Sequence, residues 1–496
     1  MPAQTTSAAL LGVEAFEVRI EADIANGLPH LLIVGLPDAA VQESRERVRA
    51  ALQNADLPFP MRRVVINLAP ADVRKEGPAF DLPIALALLL AQRALPPDSL
   101  SGTICVGELA LDGTLRPVRG AVSIGLLAAA AGIRRVIVPP ENAAEVAAVA
   151  GVEVIAPRSL VEIVSFLRGL ITLQTVAAQP PERPPPGPDL LDVRGQAGAK
   201  RALEVAAAGG HNLLMTGPPG AGKTMLASRF PGLLPDLVDQ EAVEATRVHS
   251  AAGLPARGLL VRPPFRQPHH TVSYAGLIGG GGTPRPGEVS LAHNGVLFLD
   301  EFGEFSRGVL EALRQPLEDG VVTISRARGS LTFPASFLLV ASRNPCPCGY
   351  HGDPAQGCVC SPALLRRYRD RISGPLLDRI DIRITVPRVS AEDTLGSPKG
   401  PDSAAIRSRV ARARLLARER QGVVNARLGG SELRKQCMLD ARSESFARHV
   451  IAQTAISGRG FDRLLRVART VADLAGGLRI CEEHLAEAVG YREAHA

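Results

Sequence analysis

Hydrophobic residues in the first third of the chain form short runs that alternate with segments of helical spacing. The runs at 31–34 and 64–66 predict buried strands, and residues 41–54 between them have the periodicity of an amphipathic helix. A further strand at 103–109 is followed by another helix and another strand. Because strands that alternate with helices are typical of α/β folds, residues 1–175 are predicted to form an α/β domain.

The chain beyond residue 175 divides into four further segments. Residues 176–188 are rich in proline and predict a stiff, extended linker. Residues 189–390 alternate strands with helices again and predict a second α/β domain. A polar connection rich in Gly, Pro and Ser follows at 391–403. The Ala, Leu and Arg residues of 404–496 recur at helical spacing and predict an all-helical domain.

A glycine-rich loop lies near the start of the second α/β domain, between an apolar strand at 211–216 and the first residues of a helix. Glycines allow backbone N–H groups to wrap around phosphates. We expect the Lys223 side chain to reach the β- and γ-phosphates of a nucleotide, and the Thr224 hydroxyl to bind Mg²⁺. Every position of a phosphate-binding loop is matched, by Gly217, Pro218, Pro219, Gly220, Ala221, Gly222, Lys223 and Thr224.

Two later strands supply candidates for nucleotide hydrolysis. The apolar residues 295–299 end in Asp300, which would orient Mg²⁺ through its water shell, and Glu301, which would polarise the attacking water. The strand at 337–342 leads to Asn344, whose amide is placed to hydrogen-bond the γ-phosphate or that water. Taken alone, these residues also fit a capped buried strand and a turn. The phosphate-binding loop before them favours the nucleotide interpretation.

Composition and charge narrow the class of partner. The chain is 46% hydrophobic but only 3% aromatic and has no tryptophan, so stacking platforms are not expected to dominate any nucleic-acid binding. A net charge of +6 permits a polyanionic partner, and a solvated basic surface explains it equally well. The sequence has neither a signal-peptide pattern nor an apolar stretch that would cross a bilayer. We therefore expect a cytoplasmic protein without a membrane partner.

Four of the seven cysteines are clustered in a Gly-rich loop at 344–362. An odd number of cysteines with one tight cluster favours a metal site in a reducing compartment over disulfide bonds. Four thiolates suit tetrahedral Zn²⁺, although the C-x-C spacing is tighter than the usual C-x₂-C. His351 as a substitute ligand, and four free buried cysteines, are the alternatives. The cluster consists of Cys346, Cys348, Cys358 and Cys360.

Basic residues at three places are candidates for contact with DNA. Arg326 and Arg328 lie in a turn between two short predicted strands, where they would bind backbone phosphates without reading sequence. A solvated turn is the alternative. The arginines of 366–371 and 407–420 are the other candidates. The pair His269 and His270 is expected to shape a loop rather than to bind metal.

The order of these motifs resembles that of the AAA+ ATPases, most closely the magnesium-chelatase and MCM-helicase branch. The resemblance rests on the phosphate-binding loop, the Asp-Glu strand, the strand-end Asn and the Leu-Leu-Asp-Arg-Ile-Asp sequence at 376–381. It implies that Arg379 is an arginine finger that completes a neighbouring subunit's site. A salt bridge to Asp378 or Asp381 is the alternative role. It also implies that Arg459 is the second sensor, with Arg463 as the rival.

Three further segments, at 266–273, 279–293 and 344–349, resemble the YifB/ComM family of magnesium-chelatase-like AAA+ proteins. This resemblance covers essentially the whole chain. It implies a hexameric motor with ATP and Mg²⁺, whose load is single-stranded or branched DNA and whose arginine-bearing hairpin faces the pore. In the family's competence member the activity is branch migration during integration of transforming DNA.

The N-terminal domain resembles the proteolytic domain of Lon in the segments 75–79 and 107–120. Lon requires a serine nucleophile and an activating lysine, and the corresponding positions here hold Ala79 and, approximately, Val122. The domain is therefore interpreted as a non-proteolytic relative that supports assembly or DNA handling. The expected fold is α/β, with this Lon-protease-like domain, a central AAA+ P-loop domain carrying a zinc-loop insertion, and a helical C-terminal lid.

The sequence leaves several functions open. The first is an ATP-hydrolysing DNA motor, and its rivals are the motor subunit of a metal chelatase and an unfoldase that remodels a protein. A nucleotide-gated scaffold without hydrolysis is the last. The missing Ser/Lys pair disfavours proteolysis, and Asp300, Glu301 and Arg379 disfavour the scaffold. DNA-stimulated ATPase activity distinguishes the motor from the chelatase subunit.

Overall fold

The computed structural model describes seven segments of the chain, which are residues 3–180, 187–254, 258–281, 284–326, 329–397, 400–454 and 456–493. In these segments no helix combines the length and the apolarity that crossing a membrane requires.

The N-terminal region is built around a seven-stranded sheet with helices packed against it. Its strands are β1 (Ala3–Leu11), β2 (Glu14–Ala25), β3 (His30–Val34), β4 (Arg63–Ala69), β5 (Thr103–Cys105), β6 (Glu108–Leu109), β7 (Leu115–Arg116), β8 (Arg135–Ile137) and β9 (Glu153–Ile155). Its helices are α1 (Ala39–Asn54), α2 (Asp81–Ala91), α3 (Ala121–Ala130), α4 (Pro140–Ala147) and α5 (Leu160–Leu167).

The sheet has the order β3-β4-β2-β1-β5-β8-β9 and is mixed, since β1 and β4 pair antiparallel to β2 while the other pairs are parallel. The long β1–β2 hairpin was not among the predicted elements. The single strand expected at 103–109 is wrong, because β5 belongs to the large sheet and β6 pairs with β7 in a separate ribbon. At the two Lon-like positions the structure places Ala79 in a short 3₁₀ turn and Val122 in the core.

The second region contains the expected parallel sheet and several short insertions. Its strands are β10 (Leu213–Thr216), β11 (Phe265–Arg266), β12 (Gly279–Gly280), β13 (Arg285–Pro286), β14 (Val296–Leu299), β15 (Val321–Arg326), β16 (Gly329–Pro334), β17 (Leu338–Arg343) and β18 (Ile382–Thr385). Its helices are α6 (Ala197–Gly209), α7 (Lys223–Arg229), α8 (Asp239–Ala252), α9 (Tyr274–Ile278), α10 (Glu288–Leu291), α11 (Arg307–Ala312), α12 (Arg314–Asp319), α13 (Pro362–Arg369), α14 (Gly374–Leu377) and α15 (Ala391–Leu395).

Five parallel strands form the main sheet in the order β11-β14-β17-β10-β18. All residues of β10 and β14 are buried, which explains their uninterrupted apolar sequences. Because β14, β17 and β10 are neighbours and run in one direction, the residues that follow them meet at one edge of the sheet. The stretch at 391–403, predicted to be a connection, begins with the short helix α15, whose N-cap is Ser390.

The C-terminal region is helical, as predicted. Its helices are α16 (Ser403–Gln421), α17 (Gly430–Gln436), α18 (Ala441–Thr454), α19 (Gly458–Leu474) and α20 (Glu482–Glu493). These helices share one hydrophobic core with one face of the parallel sheet, since Ile406 and Val471 belong to the same buried cluster as Leu213 and Val296. The helical region is therefore packed onto the sheet rather than built around a core of its own.

The turn between β1 and β2 reaches from the N-terminal sheet into the second region. Val13 in this turn is buried in a cluster with side chains of α8, α10 and β16, which are Val248, Ala251, Leu291 and Phe333. Glu14 forms an ion pair with Arg247 at 2.6 Å, and the backbone N–H of Gly120 donates to the carbonyl of Ser250 at 3.0 Å. The N-terminal region thus contacts the base of the β15–β16 hairpin directly.

Candidate nucleotide site

The phosphate-binding loop connects β10 to α7, as its sequence predicts. A Cβ atom at Gly217 would lie 2.2 Å from the carbonyl oxygen of Val386, so only glycine allows the chain to leave the strand there. Gly222 adopts a left-handed conformation with φ 89° immediately before Lys223 begins α7. This geometry directs backbone N–H groups of the loop and of the helix N-terminus toward one point, where an anion binds.

The side chain of Lys223 is held inside this loop. Its Nζ donates to the carbonyl oxygens of Gly217 at 2.6 Å and Pro218 at 2.9 Å, and to Oδ1 of Asn344 at 3.2 Å. Burial lowers the pKa of Lys223, while Asp300 and Glu301 act in the opposite direction. The contact with Asn344 joins the loop to the residue predicted from the strand at 337–342.

Asp300 lies at the end of β14 with both carboxylate oxygens engaged. Oδ2 accepts a hydrogen bond from the Thr224 hydroxyl at 2.8 Å, and Oδ1 accepts from the Ser342 hydroxyl and from the Glu301 backbone N–H at 3.1 Å. Thr224 is exposed, so its hydroxyl is accessible to a bound ion. Ser342 was not singled out from the sequence, since it ends an apolar run and its hydroxyl gives no signal of its partner.

Glu301 is exposed and has a left-handed backbone conformation with φ 53°. Its carboxylate lies 3.5 Å from Nδ1 of His270, whose ring is packed against His269 at 4.1 Å between centroids and edge-on to Phe305 at 6.4 Å. The histidine pair was expected to shape a loop rather than to bind metal, and neither belongs to the metal-type cluster found among the described residues. Its placement beside Glu301 had no signal in the sequence.

A cavity of about 550 Å³ opens beside the phosphate-binding loop, a volume typical of small-ligand sites. It is bounded by the start of α6, the end of β18 and helix α20. Gln196 joins the phosphate-binding loop to the segment that follows β18, because its Nε2 donates to the carbonyls of Ala221 at 3.1 Å and Pro387 at 2.7 Å. The cavity is a candidate for the base and sugar of a nucleotide, and no pattern in the sequence indicated it.

Arg379 lies away from the loop of its own chain. Its guanidinium pairs with Glu318 and donates to the carbonyl of Pro375 at 2.8 Å. The alternative salt bridge to Asp378 or Asp381 is therefore wrong, because the carboxylate that meets Arg379 comes from α12. Only the folded chain brings those two residues together.

Arg459 and Arg463, the two candidates for the second sensor, lie near the carboxylate of Glu318. The pKa of Glu318 is lowered first by Arg379, and Arg459 and Arg463 contribute to the same direction. Arg463 is half-buried, with Nε 3.8 Å from Oδ1 of Asp381, whereas Arg459 is exposed at the start of α19. Asp381 is buried and also faces Nδ1 of His211 at 3.5 Å. Arg459 is thus the less constrained of the two.

The four clustered cysteines come together as predicted. Their sulfur atoms all lie within 4.8 Å of one another, and Cys346 is fully buried. Backbone N–H groups of His351 and Cys360 donate to the sulfurs of Cys346 and Cys358, at 3.3 and 3.5 Å. The imidazole of His351 lies beside Arg369 instead, so the substitution of His351 for a cysteine is wrong.

The loop that carries these cysteines packs against the phosphate-binding loop. Gly349 has φ 87°, and a Cβ atom there would lie 2.6 Å from Cδ of Pro219. On its other side, Asp353 pairs with Arg388 at 2.6 Å, and Arg388 lines the base cavity. The cysteine loop is therefore part of the wall of the nucleotide site.

The hairpin predicted at 321–333 is present as β15 paired antiparallel with β16. The backbone of Arg326 pairs with Gly329, while the side chain of Arg326 and the whole of Arg328 lie outside the described residues. Their contact with DNA stays a prediction.

Sequence comparisons match nearly the whole chain. Residues 189–394 match the family profile described as magnesium chelatase, subunit ChlI, residues 20–142 the profile for subunit ChlI of Mg-chelatase, and residues 400–492 the profile for its C-terminal part. The chain is 45% identical over 488 residues to YifB of Salmonella typhimurium, covering 98% of this chain and 96% of that protein.

Two further relatives agree with this pattern. The chain is 45% identical over 496 residues to competence protein ComM of Haemophilus influenzae, with 98% and 96% of the two chains covered. It is also 32% identical to Lon protease 2 of Bacillus subtilis over 146 residues, which is 27% of this chain and 26% of that protein.

Proposed function

Because this chain belongs to the YifB/ComM family of magnesium-chelatase-like AAA+ proteins, we propose that it is an ATP-hydrolysing DNA motor that acts as a branch-migration helicase in recombination or natural transformation. The family implies ATPase activity. The observation that carries the ATPase part is the hydrogen-bonded group at the edge of the parallel sheet, in which Lys223 meets Asn344 and Thr224 meets Asp300.

The residues of this group have different roles in the proposed hydrolysis. Lys223 would bind the β- and γ-phosphates, and Thr224 and Asp300 would hold Mg²⁺, which would neutralise phosphate charge. Glu301 accepts the proton of the attacking water, for which its exposed carboxylate is accessible. Asn344 orients that water or the γ-phosphate. None of these side chains would place a positive charge on the side of the γ-phosphate that faces away from the loop.

Arg379 supplies that charge from a neighbouring subunit in our proposal. Arg379 contacts Glu318 and Pro375, and Arg463 contacts Asp381. Within the described residues, none of these contacts reaches the phosphate-binding loop. A finger that acts on a neighbouring subunit implies a ring, and a ring of six subunits is what the family resemblance leads us to propose. Arg459, near Glu318 and exposed, acts beside it as the second sensor.

We also propose that zinc is the ion held by the four thiols. Tetrahedral zinc sites made of four cysteines bring the sulfurs close together, and the four sulfurs of the described cluster all lie within 4.8 Å of one another. The N–H donors of His351 and Cys360 stabilise charge on the sulfurs. A soft divalent cation is the matching ligand for such a set.

The proposal for DNA is supported by the net charge of +6, by the arginines at the β15–β16 hairpin and by the similarity to a competence protein. A metal-chelatase motor subunit is the second candidate, favoured by the magnesium-chelatase profile over residues 189–394. The two differ in what accelerates hydrolysis, since a DNA motor responds to DNA and a chelatase subunit responds to its partner proteins.

The decisive experiment measures ATP hydrolysis and strand exchange on a synthetic four-way junction. Wild type is compared with Glu301→Gln and with the double variant Arg326→Ala/Arg328→Ala. We expect Glu301→Gln to abolish hydrolysis, and the hairpin variant to keep basal hydrolysis but lose stimulation by DNA and strand exchange. Normal hydrolysis by Glu301→Gln contradicts the mechanism, and a wild type that neither binds nor responds to DNA contradicts the assignment of the partner.

A further inference from the structure

A second cavity lies outside the nucleotide pocket. Its volume is about 810 Å³, and it opens between the segment that follows Glu301 and helix α13. We call it the arginine cleft, because its charged lining consists of Glu304, Arg307, Arg366, Arg367, Asp370 and Arg371. With four guanidinium groups and two carboxylates, the lining carries an excess of positive charge.

The arginines of the cleft are not all neutralised by the protein. Arg371 pairs with Glu304 at 2.7 Å and donates to the carbonyl of Gly303 at 3.1 Å. Arg307, Arg366 and Arg367 are exposed, and none of them forms an ion pair with a carboxylate in the described parts of the chain. Three unpaired guanidinium groups around one cavity repel each other, so the site gains free energy when an anion enters.

The cleft is held rigidly by the helix that forms its wall. Ser361 caps α13 by accepting from the backbone N–H of Leu364 at 3.3 Å. Tyr368 on the inner face is buried, and its hydroxyl lies 3.4 Å from the point where a Cβ at Gly303 would be. The guanidinium of Arg371 stacks over the Tyr368 ring at 5.6 Å. The helix fixes the spacing of the backbone positions from which Arg366 and Arg367 reach the cleft.

We propose that the arginine cleft binds the phosphodiester backbone of single-stranded DNA, as a second contact in addition to the hairpin. This rests on the proposed function. Guanidinium forks match phosphate oxygens in pairs, and the charged lining offers no pattern that reads base edges, so binding is independent of sequence. The cavity is much larger than one phosphate needs and is open to solvent along α13, as a continuous strand requires.

The cleft is also connected to the catalytic carboxylate. Phe305 lines the cavity and contacts the His270 ring edge-on, and His270 lies 3.5 Å from Glu301. A phosphate that competes with Glu304 for Arg371 loosens the turn at Gly303, two residues after Glu301. Occupation of the cleft therefore changes the position of Glu301, and this is how DNA bound here accelerates hydrolysis.

The test uses the triple variant Arg307→Ala/Arg366→Ala/Arg367→Ala of the full chain, with Arg369→Ala as the matched control. Arg369 is on the same helix but lies beside His351 and does not line the cleft. Affinity for a dye-labelled oligothymidine is measured by fluorescence anisotropy over a range of salt concentrations, together with ATP hydrolysis with and without the oligonucleotide and with size-exclusion chromatography.

We expect the triple variant to bind roughly tenfold more weakly, with a plot of log affinity against log salt that is less steep by about 0.7 for each phosphate that the protein no longer neutralises. Basal hydrolysis stays unchanged and stimulation by the oligonucleotide falls, while Arg369→Ala behaves like wild type. Unchanged affinity and slope in the triple variant overturn the proposal, as does an equal decrease in Arg369→Ala. Failure of the triple variant to assemble also overturns it, because the arginines then belong to an interface between subunits.

The outcomes separate this inference from the proposed function. If the hairpin variant loses DNA binding and the cleft variant keeps it, the DNA motor stands and the cleft is excluded. If wild type binds the four-way junction but not the oligonucleotide, the DNA motor stands and the cleft proposal fails, and if it binds neither, both fail together.

Discussion

The hydroxyl of Thr224 donates a hydrogen bond to Asp300 at 2.8 Å, although the two residues are 76 positions apart in the chain. This bond joins the phosphate-binding loop to the acidic residues that follow strand β14 of the same sheet. It places a hydroxyl and a carboxylate oxygen at the distance at which one Mg²⁺ ion contacts both, directly or through water.

Ser342 orients the carboxylate of Asp300 by donating to its other oxygen. We expect Ser342→Ala to raise the Mg²⁺ concentration needed for half-maximal hydrolysis roughly tenfold, since a hydrogen bond to a charged group is worth about 1.5–3 kcal/mol. Hydrolysis measured in a Mg²⁺ titration checks this. Ser228→Ala, which removes an exposed hydroxyl from α7, is the control, and an equal effect in both variants would argue against an orienting role.

Arg379 is predicted to act on the nucleotide of a neighbouring subunit. The variant Arg379→Ala keeps ATP binding, and its turnover falls about a thousandfold or more, as expected for the loss of an arginine finger. Lys223→Ala alone is also inactive, because it cannot hold the phosphates. Mixing the two inactive variants creates interfaces with an intact loop from one subunit and an intact arginine from the other.

Recovery of ATPase activity on mixing is the expected result, measured after the mixed subunits have been allowed to reassemble. If mixing yields no recovery although mixed rings form, then Arg379 does not act across the interface. The same experiment with Arg459→Ala and with Arg463→Ala assigns the second sensor. We expect recovery for Arg459→Ala, whereas Arg463→Ala mainly destabilises the chain because Asp381 loses a partner.

Removal of two cysteines is predicted to remove zinc and weaken ATP binding. The double variant Cys358→Ser/Cys360→Ser should lose one equivalent of zinc by mass spectrometry of the metal content. Loss of the metal also removes folding free energy from the loop, so we expect a lower melting temperature. Cys481→Ser is the control, since Cys481 lies beside His484 and outside the cluster. Protein that contains no zinc before mutation rules the site out.

Gly349→Ala separates the metal from its effect on the nucleotide. The added Cβ would lie 2.6 Å from Pro219, and the backbone has a positive φ of 87°, so the loops must move apart. We expect zinc content to remain while the KM for ATP rises several-fold. Gly352→Ala has a similar φ of 79° and nothing within 4 Å of its Cβ, and it therefore controls for backbone strain. Equal values of KM in the two variants would show that the packing on Pro219 has no influence.

The sequence predicted those parts of the nucleotide site that follow from local patterns. A loop such as 217–224 and an apolar run that ends in Asp300 and Glu301 can be identified because each lies within a few consecutive residues. The loop and these acidic residues meet at one edge because the strands before them run parallel in one sheet. Ser342 and Gln196 were missed because a single polar residue gives no signal of a partner that is more than twenty residues away.

Errors arose where tertiary contacts decide between local alternatives. Arg379 has acidic residues on both sides in the sequence, yet its partner is Glu318 from α12. The β1–β2 hairpin was overlooked because small residues such as Ala and Thr in β1 weaken its alternating pattern. The helix in 391–395 is short and exposed, and its cap at Ser390 was the one available signal.

The packing of Val13 connects the N-terminal domain to the hairpin that is proposed to contact DNA. The Val13 side chain packs on Phe333 at the base of the β15–β16 hairpin and on Val248 of α8. The base of the hairpin is thus held in part by a domain that lies outside the ATPase sheet. In the proposed motor, a movement of the hairpin would therefore carry this domain along or slide against it.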